Sequence, residues 1–168
     1  MKTDKTPFVE RRHSGRFAIV TSLFLLGFVS AASAFTVSYD TLQFDLFGQA
    51  HFERNPLCPD GYMIDQIGFG AANYATIEVT VPTTGTYDIS FQGETEYARL
   101  MFVAVGSEDG PQASESPLLC EGTSFKTPVE YSIGTIELSA GANTIVFFNA
   151  TSGKMDRCPY ISQVTISQ

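Results

Sequence analysis

The chain has 168 residues, with 10 basic against 18 acidic and a formal net charge of −8. Five of the ten Lys and Arg stand in the first 34 residues, so the remainder holds 5 basic and 16 acidic residues, a formal net of −11. Such a surface repels phosphate backbones and anionic lipid, which excludes nucleic acid and membrane surfaces as favoured partners. It is compatible with solubility in a salty medium, with divalent-cation binding, or with a merely solvated face.

The chain opens with Lys2, Lys5, Arg11, Arg12 and Arg16, then an apolar run of 13 residues from Phe17 to Val29, then Ala32-Ser33-Ala34. This is the order of a secretory signal peptide over residues 1–34, cleaved before Phe35. The run is shorter than the ~20 residues of a bilayer-spanning helix, so no membrane insertion is expected after cleavage. Arg11-Arg12 invites a twin-arginine route, but His13-Ser14-Gly15 lacks the apolar continuation. The expected location is secreted, either extracellular or periplasmic. The 134 residues that remain are enough for one domain, residues 35–168.

Beyond Phe35 the apolar pattern has period two. Ala75 to Val81 alternates and breaks at Pro82-Thr83-Thr84-Gly85, and Tyr87 to Phe91 alternates again. Arg99 to Val105 follows as a more apolar strand ending at Gly106, and Ser107 to Ser116 reads as a surface loop. Ile133 to Leu138, Thr144 to Phe148 and Ile161 to Ile166 supply three more strands, punctuated by Gly134, Ala140-Gly141-Ala142-Asn143 and Ser152-Gly153. No window shows a helical stripe. Many short strands separated by Gly and Pro turns predict an all-β, antiparallel sandwich.

Cys58, Cys120 and Cys158 all fall in the exported part, where a disulfide can persist. An odd number allows one bridge and leaves one thiol over. Their spacing does not resemble a zinc motif.

The order of short motifs resembles the carbohydrate-binding modules of families 35 and 6, which are jelly-roll sandwiches related to the galactose-binding domains. Tyr39-Asp40 stands where the family opens with Tyr-Glu-Ala-Glu, followed by Gly48-Gln49-Ala50 and by Gly61-Tyr62-Met63-Ile64 for its Gly-Tyr-Val strand. Ile77 to Ile89 resembles the family's hairpin of strand, Pro, Gly-Thr-Tyr and strand. Ile136 to Ile145 resembles its Leu-x-x-Gly-x-Asn-Thr-Ile segment.

The resemblance implies a polysaccharide or glycan as partner, held by loops at one end of the sandwich. By that carry-over Arg54 to Asp60, Ser116 to Lys126 and Asn149 to Tyr160 converge. A sugar ring needs an aromatic plane and its hydroxyls need fixed polar partners. Tyr97, Phe125 and Tyr160 are the candidate platforms, and Asn149, Asp156 and Arg157 the candidate polar partners. Trp is absent from the chain, so Tyr and Phe must replace it. Asn149-Ala150-Thr151 is also a glycosylation sequon.

The same three loops carry one cysteine each. The favoured bridge is Cys58 to Cys158, each followed by Pro, with Cys120 able to displace either. The spare thiol offers a route to self-association. No cofactor is expected. The calcium that the resemblance raises has lost two side-chain donors, with Leu42 at the second acidic position and Pro159 or Tyr160 near the closing Asp.

Nothing supports catalysis. His51 is the sole histidine after the leader and no Gly-x-Ser-x-Gly occurs. The acid pairs Glu94 with Glu96 and Glu108 with Asp109 read as solvated charges. The sequence therefore predicts a secreted, non-catalytic glycan-recognition module. The alternative is a structural or adhesive subunit of an extracellular or cell-surface assembly built on the same sandwich.

Overall fold

A computed structural model of the protein describes residues 34–70, 72–122, 124–151 and 155–168. The expected signal peptide, apart from Ala34, and the expected Ser152-Gly153 break lie outside the described residues. The described part holds eleven strands and one short 3-10 turn, Thr41–Gln43. The strands are β1 (Thr36–Asp40), β2 (Asp45–Leu46), β3 (His51–Arg54), β4 (Tyr62–Asp65), β5 (Ala75–Val81) and β6 (Gly85–Thr95), then β7 (Arg99–Val105), β8 (Leu118–Cys120), β9 (Ser124–Leu138), β10 (Gly141–Phe148) and β11 (Tyr160–Ser167). They form two antiparallel sheets, one ordered β3-β4-β11-β6-β9 with β1 also on β11, the other β2-β5-β10-β7-β8.

The sandwich follows from alternation. On β5, Ala75, Ile77, Val79 and Val81 are buried, and on β6 Tyr87, Ile89 and Phe91 are buried, while their neighbours face outward. The β6 side chains meet those of β5, together with Met101, Val103, Ile145 and Phe147 of the same second sheet, in one core. Burying an aliphatic or aromatic side chain of this kind contributes ~1.5–3 kcal/mol. On β11 the phase changes at a bulge, because Ile161 pairs with Gly93 and Gln163 with Gln92, leaving Ser162 over. Ile161 and Val164, three residues apart, therefore both reach the core.

Two expectations are corrected. The segment Ser116 to Lys126, expected as loop, contains β8 and the first three residues of β9, and β9 runs fifteen residues rather than the six from Ile133. The bridge Cys58–Cys158 is not formed, since all three cysteines are free, buried thiols. The reason is topological. Cys58 sits in the β3–β4 loop with its Sγ 3.9 Å from Glu94 Oε1, whereas Cys158 and Cys120 join the main core. Burial pushes the Cys58 thiol up to about 11 and Cys120 up to about 12, and holds Cys158 well above its ordinary value. None is a surface thiol, which a link to another chain would require.

Candidate functional site: an aromatic groove at one end of the sandwich

Four segments meet at one end of the sandwich. They are the β6–β7 turn, the start of β9, the start of β11 with the residues before it, and the β4–β5 loop. A groove of about 760 Å³ opens among them, lined by Phe69, Tyr97, Ala98, Arg99, Phe125, Met155, Asp156, Arg157 and Tyr160.

The loops are clasped by backbone bonds. Cys158 N donates to Ile67 O at 2.9 Å and Phe69 N to Asp156 O at 2.7 Å. Gly68 makes this possible, for its φ is +96° and a Cβ there would stand 2.1 Å from Asp156 O. Phe69 itself adopts φ 61°, and its ring lies 3.8 Å beneath the Arg157 guanidinium carbon.

Three rings form the wall. Phe125 lies 5.2 Å from Tyr160 and 6.0 Å from Tyr97, centroid to centroid. Tyr97, in edge contact with Phe125, is 66% exposed. Behind the wall stands Arg99, 7% exposed. Its guanidinium carbon is 4.8 Å from the Phe125 centroid and 5.3 Å from that of Tyr160, and its Nη1 donates to Cys158 O at 2.8 Å. Burial draws the guanidinium down from its ordinary range, and the phenol of Tyr160 is raised by burial and then by the charge of Asp65.

Five of the six residues singled out from the sequence thus share this groove: Tyr97, Phe125, Asp156, Arg157 and Tyr160. Asn149 does not. It is 1% exposed, its Nδ2 donates to Leu100 O at 3.0 Å and Met155 O at 2.8 Å, and its Oδ1 accepts from Thr151 N and Oγ1. Every hydrogen-bonding position of the amide is in use, so it shapes the loop behind the groove and offers a ligand or a glycosyl group nothing. The loop Arg54 to Asp60 contributes to a neighbouring depression of about 370 Å³ that shares Phe125 and adds Lys126.

Arg99 and Phe69 were missed from the sequence. The signal for Arg99 was an arginine opening an otherwise apolar strand. For Phe69 it was an aromatic between two glycines.

A second depression, about 450 Å³, lies on the other sheet and includes Phe47, Tyr74, Glu108 and Asp109. Phe47 and Tyr74 stack on each other at 4.4 Å and 12°, which spends one face of each ring, and no guanidinium lines it. It suits a neutral polyol less well than the first groove.

Calcium at the family's opening-strand position does not fit these residues. Leu42 offers no side-chain oxygen, and Asp40 Oδ1 already accepts Gln163 Nε2 at 2.7 Å. Asp60 spends Oδ2 on Thr41 Oγ1 and Leu42 N, and Oδ1 on Tyr62 N. A hard cation needs six to eight free oxygen donors. The expectation that Glu94 and Glu96 are both solvated holds for Glu96 alone, because Glu94 is buried and accepts Asn55 Nδ2 at 2.7 Å, so that acid pair does not converge.

In architecture this antiparallel sandwich is similar to the carbohydrate-binding modules of family 35. The chain is similar to the family 35 carbohydrate-binding module from Clostridium thermocellum, with 27% identity, 79% of this chain and 98% of that one covered, and a TM-score of 0.70. CBM35 from Paenibacillus barcinonensis shares the fold at 20% identity, covering 80% and 98%, with a TM-score of 0.63. A GH26-CBM35 β-(1,4)-mannanase from Podospora anserina matches 78% of this chain over 27% of its own length, at 16% identity and a TM-score of 0.62. The resemblance to family 35 seen in the short motifs is thus matched by the fold. No protein-family model matches the chain, and no curated protein does.

Proposed function

We propose that the protein is a secreted, non-catalytic glycan-binding module whose ligand lies in the groove of Tyr97, Phe125 and Tyr160. The observation that carries this reading is the pairing of an open aromatic wall with fixed polar groups at its rim. Ring faces stack on the apolar C–H surface of a pyranose, while Asp156 and Arg157 meet its hydroxyls as acceptor and donor. Arg99 holds Phe125 and Tyr160 in place from below, so the platform is preformed and little ordering cost falls on binding. The likeness to family 35 modules supports the same reading.

The test is affinity electrophoresis and calorimetry against a panel of plant, algal and microbial glycans. The panel includes β-1,3-galactan and β-1,4-mannan, because enzymes with those names carry segments of this fold. Retardation by at least one glycan is expected. Silence across the panel would remove the proposal.

A further inference from the structure

The described outer face of the first sheet carries a group that the glycan reading does not use. His51 and Asp65 are directly paired across β3 and β4, and Glu53 is two residues from His51 on the same face. One ligand atom from each of His51, Glu53 and Asp65 lies within 4.8 Å of the others. We propose that these three side chains form a binding site for a divalent transition cation of the zinc type.

Three observations support it. The first is the scaffold. Two adjacent strands in fixed register present the donors, so the backbone needs no rearrangement to bring them together. The second is the state of the imidazole. His51 Nδ1 lies 3.1 Å from the backbone oxygen of Gln49, outside the cluster. A carbonyl only accepts, so Nδ1 carries the hydrogen and the lone pair is on Nε2, as in histidines that ligate metals.

The third is the donor chemistry. Zinc takes nitrogen and carboxylate oxygen at ~2.0–2.2 Å, which places the ligand atoms of a tetrahedral site ~3.5 Å apart. Asp65 is held at Oδ1 by Gln66 N at 2.6 Å, so the exposed side chains of His51 and Glu53 close the remaining ångström by rotation. The imidazole favours zinc, copper or nickel over calcium and magnesium, which prefer all-oxygen shells. Three protein donors leave one position of a tetrahedral cation open.

The place in the sheet gives the site a neighbour. Ile64 pairs with Ile161, which sets Asp65 beside Tyr160, and Tyr160 pairs with Glu94. His51, Asp65, Tyr160 and Glu94 thus stand in one register row across β3, β4, β11 and β6, running from exposed His51 to buried Glu94. The cation site stands at the edge of the aromatic groove, yet it does not require that any glycan bind there.

Zinc chloride titrated calorimetrically into the purified protein tests the proposal. One equivalent is expected to bind, with affinity falling at least tenfold in His51→Ala and in Asp65→Asn while the unfolding temperature of the metal-free variants stays at the parent value. A tenfold excess of calcium should not compete. Cobalt in place of zinc should give d–d bands without a thiolate charge-transfer band, since the cysteines are buried. The proposal is overturned by an absence of zinc binding, by binding indifferent to His51→Ala, by full displacement with calcium, or by a thiolate band.

Discussion

Phe125 of β9 and Tyr160 of β11 meet across an intervening strand. β6 lies between β9 and β11 in the sheet, so their backbones are ~9.6 Å apart at two strand spacings, yet the ring centroids stand 5.2 Å from each other at 33°. The two side chains lean together over β6, and Arg99 fills the space behind them. The two rings are thus held in a fixed relation by three strands and a buried guanidinium.

Arg99 should be the most sensitive single position in the groove. Arg99→Met removes a charge-assisted hydrogen bond to Cys158 O and two ring contacts. The expected loss is about 2–4 kcal/mol of stability, read as a lower urea midpoint. An unchanged midpoint would mean that the guanidinium is not the prop described.

Gly68 tests how the groove is held open. Gly68→Ala places a methyl 2.1 Å from Asp156 O in a backbone conformation of φ +96°. A cost of about 1–3 kcal/mol is expected, with faster amide exchange at Phe69 and Cys158, whose N–H groups span the two loops. Unaltered protection at both would contradict the clasp.

Glu94 should make stability fall with pH. Its carboxyl is raised above the ordinary 4.5 by burial, against the pull of Asn55 and Cys58, with Glu53 adding to the rise. Its Oε2 has no partner among the described residues. The protonated form therefore favours the folded state. That contribution is present below the unfolded value and is lost as pH rises through the raised folded one. Glu94→Gln keeps the acceptor for Asn55 and cannot ionise. The stability of this variant relative to the parent should rise across that window in denaturant melts, and parallel curves would refute the burial argument.

The thiols offer a chemical check. With all three raised by burial, the native protein should react only slowly with a thiol reagent at neutral pH and yield three thiols per chain once denatured. A single thiol after denaturation would show that a bridge exists.

The period-two segments were legible because each buries alternate residues on one face, as Ile77, Val79 and Val81 do. β3 was not, since all four of its residues are exposed and no alternation remains to read. β8 was hidden within polar sequence, being three residues whose pairing to β7 is set by tertiary contact alone. Phe125 and Tyr160 were reachable through the family's loop order. Asn149 shows the limit of that route, because sequence cannot tell an amide turned inward to cap a loop from one turned outward. The disulfide failed for a related reason. Loops expected to converge can still send their cysteines to different surroundings, as Cys58 does beside Glu94 and Cys158 in the main core.

The most direct measurement of the central claim compares glycan affinity of the parent with Phe125→Ala, Tyr160→Ala and, as a control on the other sheet, Tyr74→Ala. Each ring contributes ~0.5–1.5 kcal/mol beyond the area it covers, so a glycan retained by the parent should bind roughly 2- to 12-fold more weakly to the first two and equally well to the control. Binding untouched by loss of Phe125 and Tyr160, or lost with Tyr74 instead, would contradict the account.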